Sequence, residues 1–196
     1  METFSILRGM PKLGVVIGSV REGRVGFPVA EWFVERARQH AGFDVELLDL
    51  KIINLPIFAE RAHPRLQQYE NAQQKAWSAT IARLDAFVFV TPEYNYSTAP
   101  ALLNALDYLS AEWAYKPVGF VSYGGISGGL RAVQMTKQTV SALRMVPIVE
   151  AVNIPFVAKL VDDGTFTHTD VHDKSAAAML DELVRWATAL ATLRAG

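Results

Sequence analysis

Short apolar runs alternate with segments of helical spacing along most of this chain. Leu13-Gly-Val-Val-Ile-Gly18 is apolar and β-branched, and a polar loop with two arginines carries the chain to Gly26. From Phe27 the spacing turns helical. Val29, Trp32, Phe33, Val34 and Ala37 fall on one side, and Glu31, Glu35, Arg36 and Arg38 fall mostly on the other. A strand, a loop and a helix over Phe27–Ala41 are predicted, with Gly42 as the stop. Phe43–Leu50 alternates and then becomes continuously apolar, which predicts a second strand in a covered sheet. A helix over Gln73–Leu84 leads into a third strand, Ala86–Thr91. Its unbroken apolar character is that of a central parallel strand. After Pro100, Leu102, Leu103, Leu106 and Leu109 mark a helix that fades near Ser110. Pro117–Tyr123 reads as a strand, Leu130–Arg144 as a helix and Pro147–Pro155 as a fifth strand. A closing helix capped by Asp170 or Asp173 runs through Leu193, with Met179, Leu180, Leu183, Trp186, Ala187 and Leu190 on its apolar side.

Strands that alternate with helices imply an α/β fold with right-handed crossovers. Five parallel strands in the order 2-1-3-4-5 give a flavodoxin-like three-layer sandwich, whose ligand crevice lies at the carboxyl ends of the first and third strands. Three loops fall on that edge: 18–26, 92–100 and 123–129. Between Lys51 and Gln74 the pattern breaks, with prolines at 56 and 64. A connection this long in a compact domain covers a ligand site or meets a partner.

The chain has 196 residues, about half of them apolar, which suits one domain over 1–196 with residues 1–12 as an N-terminal extension. Nineteen basic and 20 acidic residues leave a formal charge of −1. With no basic stripe or acidic tail, nucleic acid is not the expected partner, and a small molecule is. The absence of cysteine excludes disulfides, thiolate metal sites and a cysteine nucleophile. No apolar run approaches the roughly 18 residues of a membrane span, and the first 12 residues lack a signal-peptide pattern. No membrane partner is expected, and a cytoplasmic location is.

The loop from Gly18 to Gly26 joins a buried strand to a helix N-terminus, where free backbone N–H groups and the helix dipole suit a phosphate. Ser19 adds a hydroxyl, and Arg21 and Arg24 add charge. Gly18 and Gly23 have the Walker A spacing, but Arg24-Val25 stands where Lys-[Ser/Thr] would grip a triphosphate. Glycines at 18, 23 and 26 also miss the dinucleotide fingerprint. A phosphate monoester remains, beside the plainer reading of a Gly-rich turn with solvated arginines. Asp49, at the end of the second strand, is read as an exposed carboxylate rather than a ribose ligand. Glu93 is either a general acid or, preferably, a carboxylate turned toward backbone N–H groups of its own loop. Tyr94 and Tyr96 either stack on a ligand or pack against a partner. His168, His172 and Asp173 sit at short spacing, but cap and solvent roles suit them better than a metal. Trp32, Trp77 and Trp186 are expected in the core.

Gly18-Ser-Val-Arg-Glu-Gly-Arg-Val-Gly26, Pro92-Glu-Tyr-Asn-Tyr-Ser97 and Tyr123-Gly-Gly-Ile-Ser-Gly-Gly-Leu-Arg131 together resemble the NAD(P)H-dependent FMN reductase family, which includes quinone, azo-dye and chromate reductases. The resemblance implies that Gly18, Ser19, Arg21 and the turn Arg24, Val25 and Gly26 hold the FMN phosphate. Pro92, Glu93, Tyr94, Asn95 and Tyr96 would meet the isoalloxazine and its phosphate side. Ser122, Tyr123, Gly124 and Gly125 would follow the pyrimidine edge, with the Gly124 and Gly125 N–H groups facing the charge that gathers near N1 and O2. Many members carry Ser-Asn after the first arginine, where this chain has Arg24-Val25-Gly26. NADPH or NADH is the implied donor, and a quinone, free flavin or azo compound the acceptor. With the chemistry carried by FMN, no catalytic side chain or metal is implied. A flavodoxin-type electron carrier, or a reductase specialised for one biosynthetic metabolite, is the alternative. A homodimer or homotetramer is also implied. The leucines of the helix after Pro100, with Tyr108 and Trp113, offer more apolar surface than one sheet-facing stripe needs, and a second copy is expected on the excess.

Overall fold

The computed structural model describes residues 9–194, so most of the expected N-terminal extension lies outside the described residues. Its order is β1 (Lys12–Ile17), α1 (Gly26–His40), β2 (Asp44–Asp49), α2 (Leu50–Ile53), α3 (Ala72–Ala82), β3 (Ala86–Pro92), α4 (Pro100–Asp107), β4 (Pro117–Tyr123), α5 (Leu130–Ala142), β5 (Val146–Ile154), β6 (Val161–Asp162), β7 (Thr165–Phe166) and α6 (Asp170–Arg194). β1 to β5 form one parallel sheet in the order β2-β1-β3-β4-β5, as expected. The small antiparallel β6–β7 hairpin was not read from the sequence, because two-residue strands carry no periodicity.

Every residue of β3 and β4 is buried, which explains their lack of alternation: helices cover both faces. On one face Leu13, Val15, Ile17, Val88 and Val121 pack with Phe33 of α1 and Met179 and Leu183 of α6. On the other, Val16, Phe87, Phe89 and Phe120 meet Trp77 of α3, Leu102 and Leu106 of α4, and Trp113.

That second layer overturns the expectation for the helix after Pro100. Leu102, Leu106, Leu109, Tyr108 and Trp113 are each no more than 1% exposed, and of the four leucines only Leu103 reaches solvent. The Trp113 ring lies 5.0 Å from Phe87 and 6.1 Å from Trp77, in edge-to-face arrangements. The apolar excess fills the chain's own core. Trp186 also departs from expectation: it is 40% exposed on α6, while Trp32 and Trp77 are buried. α6 begins at Asp170, so neither aspartate is its cap residue. Asp173 instead accepts from Trp32 Nε1 at 3.1 Å and pairs with His168 at 2.9 Å, and the Thr169 N–H donates to His172 Nδ1 at 3.1 Å.

The long segment before α3 is strapped along α4. Asn104 accepts from the Phe58 N–H and donates to the Pro56 carbonyl, both at 2.8 Å, and Tyr108 Oη donates to that carbonyl at 2.9 Å. Tyr69 Oη donates to Glu112 at 2.8 Å.

Candidate functional site

The three expected loops do meet at the carboxyl edge of β1, β3 and β4, and two sets of side-chain hydrogen bonds tie them together. Ser19 Oγ and Tyr94 Oη lie 2.9 Å apart, joining the first loop to the second. Glu93 joins the second to the third: it accepts from Ser127 Oγ at 2.8 Å, from the Arg131 N–H at 3.1 Å and from Arg131 Nε at 2.6 Å. Its partners therefore belong to the third loop and the start of α5, not to its own loop. Burial alone would raise the Glu93 carboxyl, but the Arg131 guanidinium and the Ser127 hydroxyl outweigh it and hold it below the ordinary carboxylate range. A carboxyl kept ionised in this way is unsuited to donating a proton, which removes the general-acid reading.

The first loop is built on β1. The Gly18 N–H donates to the Val90 carbonyl at 2.9 Å, and Ser19 is 3% exposed. Arg24 is not a free cation. It forms an ion pair with Asp49, which is 7% exposed rather than an open strand-end carboxylate, and it donates to the Ser19 carbonyl at 2.8 Å. Asp49 also caps α2, accepting from the Lys51 N–H at 3.0 Å. Arg24 thus shapes the loop from below, and Arg21 is left exposed, without an ion pair among the described residues, its guanidinium 5.9 Å from the Tyr94 ring centre. At Val25 no side chain caps α1, and the first turn of α1 holds no acidic residue. The two glycine-rich helix starts differ in this respect: α5 has the Glu93 carboxylate on its first turn, and α1 has none.

In the second loop Pro92 closes β3, since its missing N–H cannot extend the ladder. Tyr94 and Ser97 exchange backbone hydrogen bonds at 3.2 and 3.0 Å across a two-residue turn, with Asn95 at φ 50° and Tyr96 at φ 69°. A primed turn of this kind suits Asn and strains Tyr. The Arg131 guanidinium, 3.8 Å from the Tyr96 ring centre, holds that exposed ring in place.

In the third loop the Gly124 N–H is already committed to the Ile154 carbonyl at 3.3 Å, so the expected pair of N–H donors reduces to Gly125. Ser122 is buried and accepts from Asn153 Nδ2 at 3.3 Å. Asn153 also donates to the Gly128 carbonyl at 2.7 Å. Gly129 sits at φ 88°, and a Cβ there would press on the Tyr123 backbone at 2.8 Å. Tyr123 does not follow the loop edge. Its side chain turns into the core beneath α1, 3% exposed, and a Cβ on Gly26 would collide with its hydroxyl.

Asp49, Ser127, Arg131 and Asn153 were not singled out as site residues. Asn153 had a signal, a polar side chain in an apolar strand, and Arg131 closes the third motif. A cleft of about 440 Å³ borders the first loop at Val20 and is walled by Leu50, Lys51, Asn54, Leu55, Ala101 and Asn104, so the start of the long segment lies beside that loop. A wider cleft of about 520 Å³, between 58–65 and the end of α4, shares no residue with the three loops.

Residues 11–159 match the family described as NADPH-dependent FMN reductase. An NAD(P)H-dependent FMN reductase of a Nectria species is 35% identical over 170 residues, covering 84% of this chain and 82% of the relative. One of Schizosaccharomyces pombe is 39% identical over 154 residues, covering 76% of each. The solved flavoenzyme NAD(P)H:(acceptor) oxidoreductase FerB of Paracoccus denitrificans shares the fold, with a TM-score of 0.70 at 22% identity, covering 90% of this chain and 97% of that one.

Proposed function

Because the chain belongs to the NADPH-dependent FMN reductase family of oxidoreductases, we propose that it binds FMN across its three joined loops and uses NAD(P)H to reduce a small acceptor such as a quinone or azo compound. The observation that carries this reading is the start of α1, which has no capping side chain and no acidic residue in its first turn, beside the Ser19 hydroxyl and Arg21, which has no ion pair among the described residues. These residues fit one phosphate monoester. When bound, FMN supplies the hydride-accepting and hydride-donating chemistry. The protein's part is placement: α1, Ser19 and Arg21 hold the phosphate, the Gly125 N–H serves the pyrimidine edge, and Tyr94 and Tyr96 flank the ring system. The near-neutral charge favours a reductase over an electron carrier, which needs a charged face to steer its redox partner.

Calorimetric titration of the folded protein with FMN and with riboflavin tests the reading. Arg21→Ala is expected to weaken FMN by about 1.5–3 kcal/mol, the scale of a hydrogen bond to a charged group, and to leave riboflavin unchanged. Failure of the wild-type protein to bind FMN sinks the proposal, and equal losses for both ligands would show that Arg21 acts through the fold.

Donor and acceptor are proposed to use one place in turn, since the three loops define a single site edge. Parallel double-reciprocal lines are expected when NAD(P)H and a quinone are varied together. Intersecting lines would require both to be bound at once.

A further inference from the structure

The hydroxyl of Tyr123 is buried and makes no hydrogen bond, one of few side-chain polar atoms so placed among the described residues. Ser19 stands near it but outside hydrogen-bond geometry, its own hydroxyl lying 2.9 Å from Tyr94 Oη. Burying an unpaired hydroxyl is costly, and phenylalanine would fill the same space without that cost. The position of the group is specific. Tyr123 reaches from the end of β4 to Gly26, the first residue of α1, and that residue's missing side chain is what makes room for the oxygen. Two independent features therefore meet at one point: a helix start without its own cap, and a buried donor without an acceptor.

We propose that the Tyr123 hydroxyl is a ligand of the cofactor's phosphate, donating a hydrogen bond to a phosphate oxygen from beneath the first turn of α1. This rests on the reading of FMN at the first loop and assigns Tyr123 to the opposite end of the cofactor from the pyrimidine edge expected for it. The hydroxyl keeps its proton throughout the working range: burial chiefly, and then Tyr94, raise it above the ordinary tyrosine value against the opposing pull of Ser19, Arg24 and Arg21. It can serve an anion only as a donor, which is what a phosphate oxygen requires.

Tyr123→Phe separates this from a packing role, because the two roles predict opposite signs. The ligand-free variant is expected to melt at the same temperature as the wild type or higher, since an unpaired buried hydroxyl is gone. Its affinity for FMN is expected to fall by about tenfold to a hundredfold, as for loss of a charge-assisted hydrogen bond. Its affinity for riboflavin should stay within about twofold, because riboflavin has no phosphate to lose. The phosphorus resonance of bound FMN should also shift between wild type and variant. Unchanged FMN affinity overturns the proposal, as does an equal loss for both ligands. A wild-type protein that binds riboflavin as tightly as FMN refutes the phosphate reading itself, and this proposal with it. Gly26→Ala, which places a methyl group against the hydroxyl, gives a second reading should Tyr123→Phe not fold: FMN alone is expected to weaken, and unchanged or equally reduced binding of the two ligands again overturns the proposal.

Discussion

Asp49→Ala is expected to destabilise the protein by about 3–5 kcal/mol, because it leaves the Arg24 guanidinium buried without its counter-charge. The two side chains are 6% and 10% exposed, so solvent cannot take over the missing partner. The same change removes the α2 cap on the Lys51 N–H, typically worth a further ~1 kcal/mol. Set against a domain stability of roughly 5–15 kcal/mol, the loss is a large fraction of the whole. Asp49→Asn has one acceptor oxygen for these two donors, so it keeps either the cap or the hydrogen bond to Arg24, and should lose less than Asp49→Ala. Replacing both partners with apolar residues of similar size should recover most of the stability, since a buried ion pair as a unit contributes little net. Urea unfolding of the three variants measures all of this. A loss below about 1 kcal/mol for Asp49→Ala would mean that the pair behaves as an exposed one.

Leu106→Glu is expected to prevent folding altogether. Leu106 is fully buried against the sheet. Truncating such a leucine already costs about 2–5 kcal/mol, and placing an unpaired carboxylate there adds several more. Together these approach or exceed the stability of a domain of this size. Far-ultraviolet circular dichroism should show an unfolded or aggregated chain. Leu103→Glu on the same helix should fold normally, because that side chain already reaches solvent. A folded, soluble Leu106→Glu chain would show that this side chain is not part of the chain's own core.

The contrast between those two leucines marks where sequence reading stops. Helical spacing shows that Leu102, Leu103, Leu106 and Leu109 form an apolar group, but not how much surface lies opposite them. Trp113 and Tyr108 follow the helix in sequence yet turn back into the same core, which no local pattern reports. The sheet order was legible because β1, β3 and β4 are almost continuously apolar and the segments between them carry helical spacing. The three loops were legible for a related reason: polar and glycine-rich stretches stood out against those strands. Their internal wiring was not. The partner of Arg24 lies 25 residues away at Asp49, and that of Glu93 lies 38 residues away at Arg131. Spacing along the chain carries no information about such pairs. Tyr123 shows the same limit, since its motif position suggested the edge of the third loop and its side chain lies buried against Gly26 at the start of α1.

The second loop is hydrogen-bonded to the first through Tyr94 and to the third through Glu93, so the three segments are fixed to one another rather than standing as independent arms. The entropy of ordering them is lost when the chain folds, and little of it remains to be lost when a ligand arrives. A ligand that meets any one loop then spends little of its binding free energy on ordering the other two. The second loop, closed by the short Tyr94–Ser97 hairpin, thereby fixes the spacing of its two neighbours before anything binds.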